Sequence, residues 1–197
     1  MRYKTKKLEY LFKNLKNGDF LGIYHIPWYY LFARFIFLVT GNRLCHVGSV
    51  FDVKRYNNYV SFKLGEQTLT EGKIISEYVI VKTDDNKYSI DSRFRDKFVN
   101  LFLLSNKNIL LDSDNLKIYE YWKDKEEYSI TELPFNMNWF YNLFGNTKKL
   151  YDNNCSSACR AAMLKIGIKD SSRDDPVPNP TEFANFDYIS EIIKITK

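Results

Sequence analysis

Apolar residues at three- and four-residue spacing open the chain. Leu8, Leu11, Phe12 and Leu15 predict a short amphipathic helix between Lys6 and Leu15, stopped by Asn17 and Gly18. Asp19 to His25 reads as a short buried strand ended by Pro27. Trp28 to Val39 is apolar on nearly every side and predicts a helix packed into the core, closed by Thr40, Gly41 and Asn42. From His46 the period changes to two. Val47, Ser49, Phe51 and Val53 fall on one face of a strand, with His46, Gly48, Val50 and Asp52 on the other. The turn residues Asn57 and Asn58 lead into an extended Tyr59 to Glu66, expected to pair antiparallel with it. Glu71 and Gly72 lead into a further strand, Lys73 to Val81.

Between Lys82 and Glu132 the pattern is weaker, with a helix around Ser92 to Leu103 and a strand around Leu116 to Trp122. Ser129 to Phe144 carries a capping-type Ser129 with Glu132 three residues on, interrupted by Pro134. Cys155 to Ile166 has Ala, Met and Leu in helical proportion and stops at Gly167. A loop follows through Asp174, Asp175, Pro176, Pro178 and Pro180, and Phe183 to Ile193 docks the end of the chain. The whole, residues 1–197, is expected to be one α+β domain.

With 45% hydrophobic residues and 17% aromatics, the chain has the apolar content to fold around a core. The net charge of +5 comes from 29 basic and 24 acidic residues mixed along the sequence, without the stripe or module of a nucleic-acid binder, so no nucleic acid is expected. Three cysteines make no disulfide framework and fit a reducing compartment. The basic start, Met1 to Lys7, is not followed by a signal-peptide core, which points to the cytoplasm. Ile26 to Thr40 is too short for a membrane span and carries Arg34, so no transmembrane segment is expected, and contact with a membrane would be peripheral.

Histidine chemistry falls to two residues, His25 and His46. His46 begins a strand beside Gly48, which leaves room on its face; its plainer reading is a histidine satisfied at a strand start. Cys155 directly precedes an apolar helix. A sulfur at a helix N-terminus meets the positive end of the dipole and free N–H groups, which favour a thiolate and can hold an oxyanion. Its plainer reading is a small buried residue. Cys159 falls one turn on, facing the same side. The four-residue separation does not suit a Cys-x-x-Cys redox or zinc site, and no metal or cofactor is expected. Cys45 points to the opposite strand face from His46 and reads as packing. A histidine working on a thiol needs an orienting partner. Glu66, at the end of the neighbouring strand, is the candidate, with Gln67, Thr68 and Glu71 as nearby substitutes.

The order of these segments resembles the circularly permuted branch of the NlpC-type papain-like cysteine peptidases and amidases, whose relatives include lecithin retinol acyltransferase. The segments that carry the resemblance are Gly18-Asp19, Thr40-Gly41-Asn42 before Cys45-His46-Val47-Gly48-Ser49-Val50, Asn154-Cys155-Ser156-Ser157, and Pro178-Asn179-Pro180 before Phe183 and Phe186. They extend from about Gly18 to Phe186. Histidine comes first, a polar third residue next and cysteine last, as in the permuted branch. The resemblance implies a permuted papain-like α+β fold, with an antiparallel sheet packed against helices and the nucleophile at a helix N-terminus. It also implies a thiol hydrolase with Cys155 as nucleophile, His46 as base and Glu66 as third member. Substrates in the family are amide bonds of peptides or cell-wall peptides, and acyl-ester or acyl-lipid bonds. Two positions depart from the pattern: Ser156-Ser157-Ala158 replaces Ser-Glu plus an apolar residue, and Cys45 stands where Ser is usual. The aromatic segment Trp28 to Phe37 reads as core, or as the wall of a cleft for an acyl chain. The rival functions are an acyltransferase and a non-catalytic binding or virion-associated module. Richness in Lys, Asn, Ile and Tyr suggests an AT-rich genome and suits a viral or phage protein.

Overall fold

The computed structural model describes residues 3–25, 46–68, 72–91, 94, 99–124, 155–169 and 183–196. Among them the elements run β1 (Lys4–Lys7), α1 (Leu8–Asn14), β2 (Phe20–His25), β3 (His46–Arg55), β4 (Tyr59–Thr68), β5 (Gly72–Lys82), β6 (Tyr88–Ile90), β7 (Val99–Asn106), α2 (Asp112–Lys123), α3 (Cys155–Lys165) and β8 (Ile189–Thr196). The strands form one sheet in the order β1-β8-β7-β2-β3-β4-β5-β6. Every neighbouring pair is antiparallel except β1 and β8, which run parallel.

This corrects the expected fold. Among the described residues the protein is mostly β, 48% strand against 27% helix, and its centre is a single curled, mixed sheet of half-barrel form rather than a permuted papain-like α+β layer of helices and antiparallel sheet. The change comes largely from two segments. Residues 99–103 were expected to end a helix begun at Ser92, but lie in β7, hydrogen-bonded between β2 and β8. Leu101 and Leu103 enter one core cluster while Phe102 and Leu104 enter the other. A strand buried on both faces is continuously apolar, and periodicity cannot separate it from a buried helix. Conversely, Leu116 to Trp122 was expected as a strand and lies within α2. Ile118, Tyr121 and Trp122 are its buried residues, at helical spacing. Asp114 accepts the N–H of Leu111 at 3.0 Å, securing the helix start, where Asp112 and Asp114 also suit the dipole.

The two faces of the sheet carry separate cores. On one lie Leu8, Leu11 and Leu15 of the α1 region, packed with Leu21, Ile23, Val50, Phe62, Leu64 and Ile80. Arg55 of β3 donates to the carbonyls of Phe12 and Leu15, completing the end of α1. The other face is covered by α2 and α3, which bury Trp122, Ala158, Cys159 and Met163 against Phe20, Val47, Phe51 and Phe102. Full burial of each large apolar side chain contributes about 1.5–3 kcal/mol, so both layers matter to stability.

A β-bulge between Phe51 and Lys54 revises the expected alternation of β3. Asp52 adopts a positive φ of 54°, its carboxylate turns to Lys63 at 2.9 Å, and Val53 packs on the α1 side instead of sharing the face of Phe51. The bulge leaves His46 to Val50 in regular register. The expected helices at Trp28 to Val39 and Ser129 to Phe144, the turn at Thr40 to Asn42, the loop at Asp174 to Pro180, and the residues Cys45, Glu71 and Asn154 lie outside the described residues.

Candidate active site

β2 is held at its start by a buried carboxylate. Asp19 accepts the N–H of Lys16 at 3.0 Å and that of Asn106 at 2.9 Å, and Asn106 in turn donates to the carbonyl of Gly18 at 3.0 Å. This ties β2 to the end of β7. Gly18 is required here: its φ is +85°, and a Cβ would stand 2.6 Å from Leu110. β3 aligns on β2 with Ile23 opposite His46 and Leu21 opposite Gly48. His46 is therefore the first residue of a strand whose position is fixed from both sides.

β4 brings Glu66 onto the same face. It is fully buried, and its Oε1 lies 2.8 Å from His46 Nε2. Gly48 makes this approach possible, since a Cβ there would stand 2.9 Å from Glu66 Cγ and 2.9 Å from Leu64 Cγ. The space that a side chain would fill is taken by the stem of Glu66. With Nε2 committed to the carboxylate, the other ring nitrogen, Nδ1, is left for a second partner.

That partner is Cys155, the first residue of α3. Its thiol is hydrogen-bonded to the His46 side chain and receives a further bond from the backbone N–H of Val47. Burial opposes charge on the sulfur, but the imidazolium beside it outweighs this, so the Cys155 thiol is held below its ordinary value. For His46, burial favours the neutral ring, and the Cys155 thiolate and Glu66 carboxylate reverse that, raising its pKa to about 10. The favoured state of the coupled pair is thus thiolate and imidazolium. Cys155 is 9% exposed and the His46 side chain 21%, so the pair is largely withdrawn from solvent without being sealed.

Of the sequence candidates, Cys155, His46 and Glu66 come together in one hydrogen-bonded chain. Gln67 and Thr68 continue β4 and pair with Lys73 and Gly72. His25 ends β2, with its backbone opposite Val99. Cys159 is fully buried one turn beyond Cys155, and its thiol is pushed well above the ordinary range by burial and by the neighbouring Cys155. Among the described residues, no three His, Cys, Asp or Glu side chains converge as a metal site would require. The element missed in the sequence is the backbone of Val47. Main-chain groups carry no sequence signature, and only the regular alternation of β3 hinted at where they point.

No protein-family model matches the chain, and no curated protein matches it. Among the described residues, no helix is long and apolar enough to cross a membrane.

Proposed function

We propose that the protein is a cysteine-dependent hydrolase that cleaves an amide bond of a peptide or cell-wall peptide, or an acyl ester, through an acyl-enzyme. The observation that carries this reading is the placement of the His46 ring between Cys155 and Glu66, with the carboxylate at 2.8 Å and the thiol on the first residue of a helix. His46 takes the Cys155 proton, and the thiolate attacks the acyl carbon. Backbone N–H groups at the start of α3 stabilise the oxyanion. The imidazolium then protonates the leaving amine or alcohol. Water, deprotonated by His46, attacks the thioester and restores the thiol. Glu66 keeps the ring oriented and favours its charged form. The resemblance to permuted NlpC-type enzymes supports the order of the three residues and the substrate class. Neither reading depends on a papain-like sheet, because the same constellation can be built on unrelated folds.

The test is alkylation of the purified protein with iodoacetamide from about pH 4 to 9, with the modified cysteine located by mass spectrometry. Selective reaction of Cys155 is expected, with a midpoint well below the free-thiol value of about 8.5 that rises in His46→Ala. Equal and slow reaction of the cysteines in folded protein would refute the nucleophile and leave a binding scaffold. If Cys155 is selective, adding acceptor amines to a turnover assay separates hydrolysis from acyl transfer.

A further inference from the structure

The two cysteines of α3 share the backbone of Val47 in β3 as a partner, and the Cys159 sulfur also meets the Ser49 hydroxyl. In an antiparallel sheet the N–H and C=O of a residue point to the same neighbouring strand, and successive residues alternate between neighbours. Val50 donates to the Asp19 carbonyl at 2.8 Å and accepts the Gly18 N–H at 2.9 Å, so it faces the β2 side. Val47 lies three residues away with no register shift between, and so directs both its groups towards β4. There the β3–β4 ladder stops at Ser49 opposite Gly65. Val47 meets α3 instead. Its N–H donates to Cys155 Sγ, and its carbonyl accepts the Cys159 thiol with Sγ 3.7 Å away. Two sulfurs one helical turn apart occupy the position that a strand residue would otherwise fill.

We infer that Cys159 is a positioning residue for the Cys155 nucleophile: its S–H anchors the Val47 carbonyl, and the anchored backbone keeps the Val47 N–H aimed at the Cys155 sulfur. This rests on the reading of Cys155 as the nucleophile. The role requires a protonated thiol, and the burial that pushes Cys159 upward preserves its proton while its neighbour ionises. The two thiols of one helix thus divide the work, one as acceptor and anion, the other as neutral donor. A buried cysteine that served only packing would need no such partner.

The experiment compares wild type, Cys159→Ala and Cys159→Ser, as full chains, by the pH dependence of iodoacetamide reaction at Cys155. Cys159→Ala removes the donor, and its midpoint is expected to rise by about one pH unit, a roughly tenfold slower reaction below the midpoint. Cys159→Ser keeps a donor and is expected to hold the wild-type midpoint. An unchanged midpoint in Cys159→Ala overturns the inference while leaving the hydrolase reading intact. An equal rise in both variants also overturns it, since packing rather than donation would then be the cause. Should Cys159→Ala fail to fold, Cys159→Ser decides: retention of the low midpoint supports donation, and an upward shift overturns it. A wild-type midpoint in the free-thiol range removes the nucleophile and this role together.

Discussion

Adding one methyl group at Gly48 should reach the site without replacing any of its three side chains. In Gly48→Ala the new Cβ would stand 2.9 Å from Glu66 Cγ, 2.9 Å from Leu64 Cγ and 3.0 Å from Leu64 Cδ1. Carbon atoms in good contact are about 3.5–4.0 Å apart, so each neighbour must retreat by roughly half an ångström or more. Neither has room, since Glu66 and Leu64 are both fully buried and the closest touching atoms are the Cγ atoms of both stems. Overpacking of this kind costs about 1–3 kcal/mol. For a chain of this size that lowers Tm by roughly 2–12 °C. A displaced Glu66 also lengthens its 2.8 Å contact with His46. A hydrogen bond to a charged group contributes about 1.5–3 kcal/mol, and losing half of it would slow Cys155 alkylation below its midpoint by roughly three- to tenfold. Thermal unfolding and alkylation rate, measured on the same preparation, test both parts. Gly65→Ala is the control. Its Cβ would meet the Trp122 ring at 2.4 Å on the other face, so it should destabilise at least as much while leaving the alkylation profile of folded protein unchanged. If Gly48→Ala unfolds at the wild-type temperature with the wild-type alkylation midpoint, Glu66 is not wedged over Gly48 and the account of how it reaches His46 is wrong.

Glu66→Gln keeps an acceptor but removes the charge, so the His46 pKa should fall from about 10 towards 6.5 and the Cys155 midpoint should rise, as read by ring NMR shifts and alkylation. The sign for stability follows: the folded pKa of His46 lies above its unfolded value, so the stability from its pairing is complete below pH 6.5 and lost as pH rises through about 10. Glu66→Gln should shrink that loss in denaturant titrations across the alkaline range. Asp19 works in the same sense at lower pH, because burial raises its carboxyl from 3.8 to about 6. The folded state therefore binds the proton more tightly, and stability should fall by at most about 3 kcal/mol as pH rises from 4 to 6. Asp19→Asn should abolish this slope, and an equally steep slope in the variant would assign it to other groups.

Parts of the fold were legible where one face of an element is wet or where pairing strands follow one another in sequence. α1 showed its stripe of Leu8, Leu11 and Leu15, and β3, β4 and β5 their turns and their consecutive pairing, because hairpin neighbours are also sequence neighbours. β7 and β8 were not legible for a different reason. Their partners lie far off in sequence, and Leu101 to Leu104 face two cores at once, which erases alternation. α2 was misread because Tyr119, Tyr121 and Trp122 have high strand propensity. Its helical burial against Gly65 depends on a glycine more than fifty residues earlier. The parallel pairing of β1 with β8 joins the two ends of the chain, and nothing local to Lys4–Lys7 announces it.

The site was more legible than the fold because its members are chemically rare. Two histidines and three cysteines leave few combinations, whereas the sheet draws on many interchangeable Leu, Ile and Val residues. What the residues could not reveal is how the site is divided mechanically. His46 and Glu66 sit on adjacent strands of one sheet, so their separation is set by register and by the missing side chain of Gly48. Cys155 arrives from a helix, and its distance from the ring is set where β3 and β4 part and Val47 turns its backbone to α3. Substitutions in the strands should therefore change the proton affinity of the imidazole first. Substitutions along α3 should change the nucleophile while leaving the His46–Glu66 pair in place. That separability distinguishes this arrangement from a site carried on one loop, where any change moves all members together.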